Sequence, residues 1–135
     1  METFCEQFLT LALVVNPESG LEEKEIIDEL ETYRDLIGCD WIDIARRNIG
    51  DKEYDIVVDD EGLLKENPIV SAFSGTKDPV LVGTMVICGT ADSEGVLTGL
   101  SEEDLENIKK HKSYYLQIDS EGYPVIRSCI VGMEY

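Results

Sequence analysis

The sequence predicts one α+β domain with a largely antiparallel (mixed) sheet of about five to six strands and two helices packed on it. Three observations support this fold class. Apolar and polar residues alternate over short segments, which is typical of half-buried strands. Two segments instead repeat apolar residues at spacings of three and four, as helices do. No stretch has the composition of a linker, so residues 1–135 are expected to form a single domain.

The first two elements are predicted to be a strand and a helix. Residues 4–15 form a long apolar run that ends at an Asn-Pro loop. A helix is then expected over residues 21–37, because its apolar residues would form one buried stripe. Ser19 with Glu22 fits a capping box, and Gly38 is a suitable stop. The stripe consists of Ile26, Leu30, Tyr33 and Ile37.

The middle of the chain is predicted to contain strands. One covers about residues 40–46, and a turn at 48–51 leads to a second strand in which Tyr54, Ile56 and Val58 alternate. Residues 69–73 fit either a short strand or a packed loop.

The remaining elements are predicted as a strand, a helix and a hairpin. Residues 80–88 form a strongly apolar strand, with Gly83 inside it at a bulge or a close backbone approach. Ser101 opens a second helix, with Leu100 and Leu105 placed for a hydrophobic staple. The last two strands are expected at about 113–119 and 123–131, so that residues 113–131 form a C-terminal hairpin.

Three copies of an Asp-x-Glu-Gly pattern occur at residues 59–62, 92–95 and 119–122. Asp at the first position of a turn accepts backbone N–H bonds, and Gly at the fourth tolerates positive φ, so each copy is interpreted as a hairpin tip. A calcium loop is the alternative. It fails because Val57, Thr90 or Gln117 would occupy the first ligand position of an EF-hand. We therefore expect no metal site.

The composition is strongly acidic. Twenty-nine Asp and Glu face eleven Lys and Arg, for a formal net charge of -18. Such a charge disfavours direct nucleic-acid binding and anionic membranes, and it favours a basic protein surface as partner.

The acids of the predicted first helix form its candidate interaction surface. They lie opposite the buried stripe, with Lys24 as the one cation among them. An ordinary solvated helix mixes charge signs to gain side-chain pairs. Acidic proteins also drift to such compositions without any function. If the surface is functional, it meets a basic protein or imitates the phosphates of DNA. The residues are Glu25, Asp28, Glu29, Glu31 and Asp35.

The sequence favours a non-enzymatic protein. His111, the one histidine, lies in a Lys-rich helix end, where capping of carbonyls explains it. No nucleophile elbow, phosphate loop or dinucleotide fingerprint is present, so no catalytic residue and no cofactor are expected. The leading hypothesis is a protein-binding module. A DNA-mimic inhibitor of a defence or DNA-binding protein is the first alternative, and an enzyme with a scattered carboxylate site is the second.

Cysteine usage and the N-terminus indicate a cytoplasmic protein. The four Cys at positions 5, 39, 88 and 129 have no paired spacing and lie in apolar settings, so they are expected as buried, reduced thiols. No basic residue precedes the apolar run that begins at Phe8, and that run is too short to span a membrane. The segment 125–131 is apolar on both faces, which makes a homodimer a further expectation.

Six short motifs occur in one order along the chain: LVVNP at 13–17, LIG at 36–38, WID at 41–43, VDDEGLL at 58–64, VGTMVICG at 82–89 and LSEE at 100–103. Together they resemble a domain-of-unknown-function family of small acidic proteins from phages, plasmids and gut bacteria. The resemblance covers about residues 9–108 and leaves the last hairpin outside. Its motifs are turns and strand cores, so it implies a fold and mobile-element biology but no established activity and no catalytic residue.

Overall fold

The structure is a computed structural model that describes residues 9–65 and 68–135. Within those residues it contains eleven strands, two α-helices and one 3₁₀ helix. In chain order they are β1 (Leu9–Asn16), β2 (Gly20–Ile27), α1 (Leu30–Ile37), β3 (Ile42–Ile49), β4 (Lys52–Asp59), the 3₁₀ helix (Gly62–Leu64), β5 (Val70–Phe73), β6 (Pro79–Val82), β7 (Met85–Ala91), β8 (Leu97–Thr98), α2 (Glu102–Lys109), β9 (Lys112–Ile118), β10 (Pro124–Val131) and β11 (Met133–Glu134).

The strands form two sheets. The main sheet has the order β11-β3-β4-β7-β1-β2, with β8 added to β7, and the second sheet has the order β6-β5-β10-β9. All pairs are antiparallel except β10 with β5. The α+β class with a mostly antiparallel arrangement is thus confirmed, but the strands in the described chain number eleven in two sheets rather than five or six in one.

Both faces of the main sheet are buried, and β1 shows how. Leu13 and Val15 point into the larger core, which also receives side chains from α2 and the second sheet. Ala12 and Val14 point to the opposite face, where the buried Tyr33 of α1 covers the sheet. Successive residues of a strand face opposite sides, so a continuous apolar run is what a strand buried on both faces requires.

The helix predicted over residues 21–37 is wrong in its first half. Gly20–Ile27 is β2, and it pairs with β1 from Asn16 opposite Gly20 to Leu9 opposite Ile27. Every backbone hydrogen-bonding group that β2 directs toward β1 finds a partner there. This pairing outweighs the helical spacing, because only one apolar residue of the segment belongs to the predicted stripe.

Helix α1 is therefore short and has different caps from those predicted. It begins at Leu30, and its N-cap residue Glu29 makes no side-chain capping bond, so the Ser19–Glu22 capping box is wrong. The predicted stop is confirmed: Gly38 has φ 75° and its N–H donates to the Arg34 carbonyl at 2.8 Å.

The single strand predicted over residues 80–88 is also wrong, because Gly83 divides it. Gly83 has φ 75°, a backbone conformation that glycine adopts without a steric penalty. Before it, β6 joins the second sheet; after it, β7 becomes a central strand of the main sheet. One glycine thus marks the point where the chain changes sheets.

Two of the three Asp-x-Glu-Gly turns are confirmed as hairpin tips. Asp92 and Asp119 each accept two backbone N–H bonds in the tips of β7–β8 and β9–β10. The hairpin prediction for residues 59–62 is wrong, because β4 runs into the 3₁₀ helix and pairs with β3 and β7 instead. Asp59 still accepts the Glu61 N–H at 2.9 Å, so the local turn chemistry persists without a hairpin.

The C-terminal half follows the sequence prediction closely. Ser101 and Asp104 form a reciprocal capping box at α2, and Leu100 and Leu105 are both buried in the larger core. Residues 69–73, left open between strand and loop, contain β5. The β9–β10 hairpin pairs from Ile118 opposite Pro124 to Lys112 opposite Ile130.

The cysteine prediction is confirmed in part. Cys88 and Cys129 are buried free thiols, whereas Cys39 is a free thiol that is only partly buried. Cys5 and the predicted strand start at residues 4–8 lie outside the described residues. Throughout the segments 9–65 and 68–135, helices are too short or too polar for any of them to span a bilayer.

Candidate functional site: an acidic cleft at the end of the first helix

The five predicted surface acids do not share one helical face. Glu25 belongs to β2 and lies directly opposite Leu11, so it points toward the side of the larger core. Glu31 and Asp35 belong to α1, which covers the other side of the main sheet. The one-sided acidic helix is therefore wrong, since the main sheet separates its members.

Asp28 connects two elements of the fold through hydrogen bonds. Its Oδ1 accepts the hydroxyl of buried Tyr33 at 2.6 Å, and its Oδ2 accepts the Leu97 N–H at 3.0 Å. The carboxylate thus joins α1 to β8 and has little capacity left for a partner. Glu29 is exposed at the N-cap of α1.

Glu31 and Asp35 instead line a cleft of about 460 Å³. It lies between the C-terminal part of α1, the segment 38–41 and the residues that follow β4. The αL turn at Gly38 directs the chain away from α1, and the Asp60 N–H donates to the Trp41 carbonyl at 2.9 Å, which closes the far wall. The lining residues are Glu31, Arg34, Asp35, Gly38, Cys39, Asp40, Trp41, Asp59, Glu61 and Lys65.

The cleft has an excess of negative charge, with five carboxylates against two cations. Both cations are already paired, Arg34 with Glu31 at 2.9 Å and Lys65 with Asp59 at 2.5 Å. The other three carboxylates, all exposed to solvent, form no ion pair within the described chain. They are Asp35, Asp40 and Glu61. The negative charge left over is therefore directed toward solvent.

Trp41 is an aromatic residue that lines the same cleft as these carboxylates. It is the one tryptophan in the sequence, and its side chain is 65% exposed. A ring face beside carboxylates suits a cationic side chain, because the ring quadrupole and the carboxylates both attract positive charge. Tryptophan is also among the residues that contribute most to protein interfaces.

The thiol in the cleft is poorly suited to catalysis. Burial and the neighbouring Asp59 raise the pKa of Cys39 above its ordinary value of 9.0, so the thiol is protonated near neutral pH. His111 lies elsewhere and bonds the Asn107 carbonyl through Nδ1 at 2.9 Å, which confirms its predicted capping role. Across the part of the chain that the structure describes, no three His, Cys, Asp or Glu side chains are grouped to hold a metal.

Of the ten residues that line the cleft, the surface predicted from the sequence contains only Glu31 and Asp35; Asp40, Trp41 and Glu61 are among the eight that it misses. Asp40 and Trp41 lie in a predicted strand and Glu61 lies in a predicted hairpin tip, so the sequence does not connect them with the acids of α1. The available signal was the placement of a single tryptophan between two Asp residues just after the helix stop.

Comparisons with known proteins identify one relationship. No curated protein and no solved structure matched the chain. Residues 9–113 match the family described as Domain of unknown function (DUF3846), which covers every element from β1 to α2 and the whole acidic cleft. The match leaves most of the β9–β10 hairpin outside it. The chain belongs to this domain-of-unknown-function family.

Proposed function

We propose that this protein is a non-enzymatic, cytoplasmic protein-binding module whose acidic cleft receives an Arg or Lys side chain from a basic segment of a partner. The observation that carries the proposal is the position of exposed Trp41 beside three carboxylates without ion-pair partners in the described chain. The proposal keeps the acidic surface expected from the sequence but moves its centre to the cleft.

Size and electrostatics both favour a cationic occupant. A volume of about 460 Å³ lies within the range of about 300–1,000 Å³ for pockets that hold small ligands, so a long side chain fits. The net charge of -18 attracts basic segments over a distance of about one Debye length, and the cleft then supplies the local contacts.

The two alternatives have less support. DNA mimicry needs a continuous acidic ridge, and the main sheet separates Glu25 from the acids of α1. An enzyme with a scattered carboxylate site would need a concave pocket with carboxylates, and the cleft is such a pocket. However, three of them are exposed to solvent, whereas catalysis gains most from charges in a water-excluded site.

Intrinsic fluorescence tests the proposal directly, because Trp41 is the sole tryptophan. Titration with a short arginine-rich peptide that lacks aromatic residues should shift or quench the emission in a saturable manner. A peptide of equal length with citrulline in place of arginine should leave it unchanged. Binding should weaken as the salt concentration rises, because exposed charge pairs are screened.

Variants separate binding in the cleft from general attraction to an acidic protein. Asp35→Asn and Glu61→Gln should each weaken the peptide affinity by about 3- to 10-fold, which corresponds to about 1 kcal/mol for one charge-assisted contact. Glu25→Gln is the matched control: it removes the same charge from the other side of the main sheet and should change the affinity by less than about 2-fold. Equal losses from all three variants would show that only net charge matters and would refute the cleft.

A further inference from the structure

The C-terminal hairpin exposes an apolar face that the acidic cleft does not explain. On β9, Tyr114, Leu116 and Ile118 are 57%, 63% and 60% exposed, and on β10, Ile126 is 63% exposed. Leu116 lies directly opposite Ile126, and Ile118 lies opposite exposed Pro124, so all five side chains share one face. These five residues are called the hairpin face below.

The hairpin face is continuous with the larger core. Residues two apart on a strand point to the same side, so Ile126 lies on the side of β10 that also carries Ser128 and Ile130. Ile130 is fully buried in the larger core, and the Ser128 N–H donates to the Pro17 carbonyl at the β1–β2 turn at 2.8 Å. Toward the hairpin tip, Ile126 and Pro124 on the same side of β10 are exposed, so the same face is uncovered there.

This geometry corrects the basis of the expected self-association. The apolar segment 125–131 does not lie at an edge, because β10 pairs with both β5 and β9. Cys129 and Ile130 are buried within their own chain. Ile126 alone of the large side chains in that segment is exposed, and the other large apolar side chains beside it on the surface belong to β9.

We propose that the hairpin face is a homodimer interface, with a second copy of this chain packed on it about a two-fold axis. At roughly 100–150 Å² for each large side chain, its apolar area is on the order of 500 Å², the upper range of what monomers leave exposed. Two copies facing each other would bury about 1,000 Å² or more, which is the lower limit for a specific interface.

Charge favours a second copy at this face. Every residue of the hairpin face is uncharged in a chain with 29 acidic residues, so two copies meet there without bringing carboxylates into contact. The residue two positions before Tyr114, on the same side of β9, is a cation: Lys112 lies opposite Ile130 and its Nζ is 5.2 Å from the centre of the Tyr114 ring.

The test is sedimentation velocity over a range of protein concentrations. We expect a reversible monomer–dimer equilibrium whose dissociation constant falls as salt rises from about 0.1 M to about 1 M, because the Debye length shortens from about 10 Å to about 3 Å and long-range repulsion between two acidic copies is screened. This salt dependence is opposite in sign to that of peptide binding in the cleft. A monomer at every concentration in high salt would overturn the proposal, and so would a dimer that salt weakens.

Substitutions identify the interface. Leu116→Glu should raise the dimer dissociation constant by at least about 100-fold, because two-fold symmetry buries the new carboxylate twice. Ile44→Glu makes the same change at a residue that is 48% exposed on β3, and it should leave dimerisation unchanged. Circular dichroism must show native folding for both variants; if Leu116→Glu unfolds the chain, the milder Leu116→Asn replaces it. A dimer that persists in the folded Leu116 variant would refute the proposal.

Discussion

The hydroxyl of Tyr33 donates a 2.6 Å hydrogen bond to Asp28 Oδ1, joining the one fully buried side chain of α1 to the loop that precedes the helix. Burial, together with this bond, raises the pKa of the Tyr33 phenol. The other oxygen of Asp28 accepts the Leu97 N–H. A residue that the sequence placed on an interaction surface is therefore part of the packing between α1 and the main sheet.

Asp28→Ala should destabilise the protein by about 2–4 kcal/mol, because the buried Tyr33 hydroxyl and the Leu97 N–H would both lose their acceptor. Asp35→Ala is the control, since it removes an exposed carboxylate of the same helix region and should cost no more than about 0.5 kcal/mol. Urea unfolding curves measure both. Equal destabilisation by the two substitutions would contradict the structural role of Asp28.

Asp104 should be among the most important polar side chains for stability. It completes the capping box with Ser101, and its Oδ1 also accepts from Lys52 at 2.5 Å and from the Tyr54 hydroxyl at 3.1 Å. Burial favours the neutral acid, but these bonds prevail and lower the pKa of Asp104. Asp104→Ala should cost about 2–4 kcal/mol, and Ser101→Ala about 1 kcal/mol.

The matched control for Asp104 is Glu103→Ala, which alters the same first turn of α2 at an exposed position. Its cost in thermal or urea unfolding should stay within about 0.5 kcal/mol. If Glu103→Ala costs as much as Asp104→Ala, the effect comes from the helix dipole and not from the bonds to Ser101, Lys52 and Tyr54.

Asp55 should make stability depend on pH in the acid range. Its carboxylate accepts two bonds from Arg46, at 2.9 and 3.0 Å, and one from the Ala91 N–H at 2.7 Å. The Arg46 bonds lower its pKa below the ordinary value of 3.8, although burial opposes them. Because the folded state binds the proton less readily than the unfolded state, the stabilisation is present above pH 3.8 and is lost as pH falls through the folded pKa.

Urea unfolding at a series of pH values between about 5 and 2 tests this linkage. Asp55→Asn should be less stable than the wild type at the upper end, and the difference should shrink as pH falls below 3.8. Asp60→Asn makes the same change at an exposed position and should cost no more than about 0.5 kcal/mol at the upper end. A constant difference for Asp55→Asn across the series would contradict the assigned pKa shift.

Thiol reactivity should report on the cleft. In a Cys5→Ser background, iodoacetamide should modify Cys39 before Cys88 or Cys129, because the latter two are buried and burial raises the pKa of Cys88 to about 12. The arginine-rich peptide should slow the modification of Cys39, which lines the cleft. Peptide mass mapping after a short reaction measures this. Modification of Cys39 at the same rate with and without saturating peptide would count against binding in the cleft.

Local signals account for the elements that sequence reasoning predicted correctly. Helix α2 carries its own capping box and staple, the turn at Gly50 joins β3 and β4 as a hairpin, and the DSEG turns at 92–95 and 119–122 each close a hairpin. In each case the residues that specify the element lie within a few positions of one another. Their chemistry therefore does not depend on which distant segment packs nearby.

The errors occur where the partner is distant in sequence. Residues 21–27 have glutamates that suit a helix, yet they form β2 because β1 offers a complete ladder of backbone partners. Residues 80–88 have the pattern of one strand, yet the segments before and after Gly83 pair in different sheets. The acidic cleft likewise combines distant segments, since its lining residues come from α1, the segment 38–41 and the chain around the end of β4.

The sequence by itself determined the α+β class, the acidic surface, the capped second helix and the two DSEG hairpins, because composition and short-range turn chemistry are sufficient for these. Tertiary structure alone decided which strands share a sheet, that Asp28 bonds the Tyr33 hydroxyl, that Trp41, Asp35 and Glu61 line one cleft, and that one face of the C-terminal hairpin is apolar and exposed. The physical reason is that strand pairing and burial depend on contacts between residues far apart in the chain, and no local pattern records which of the possible partners is the more stable.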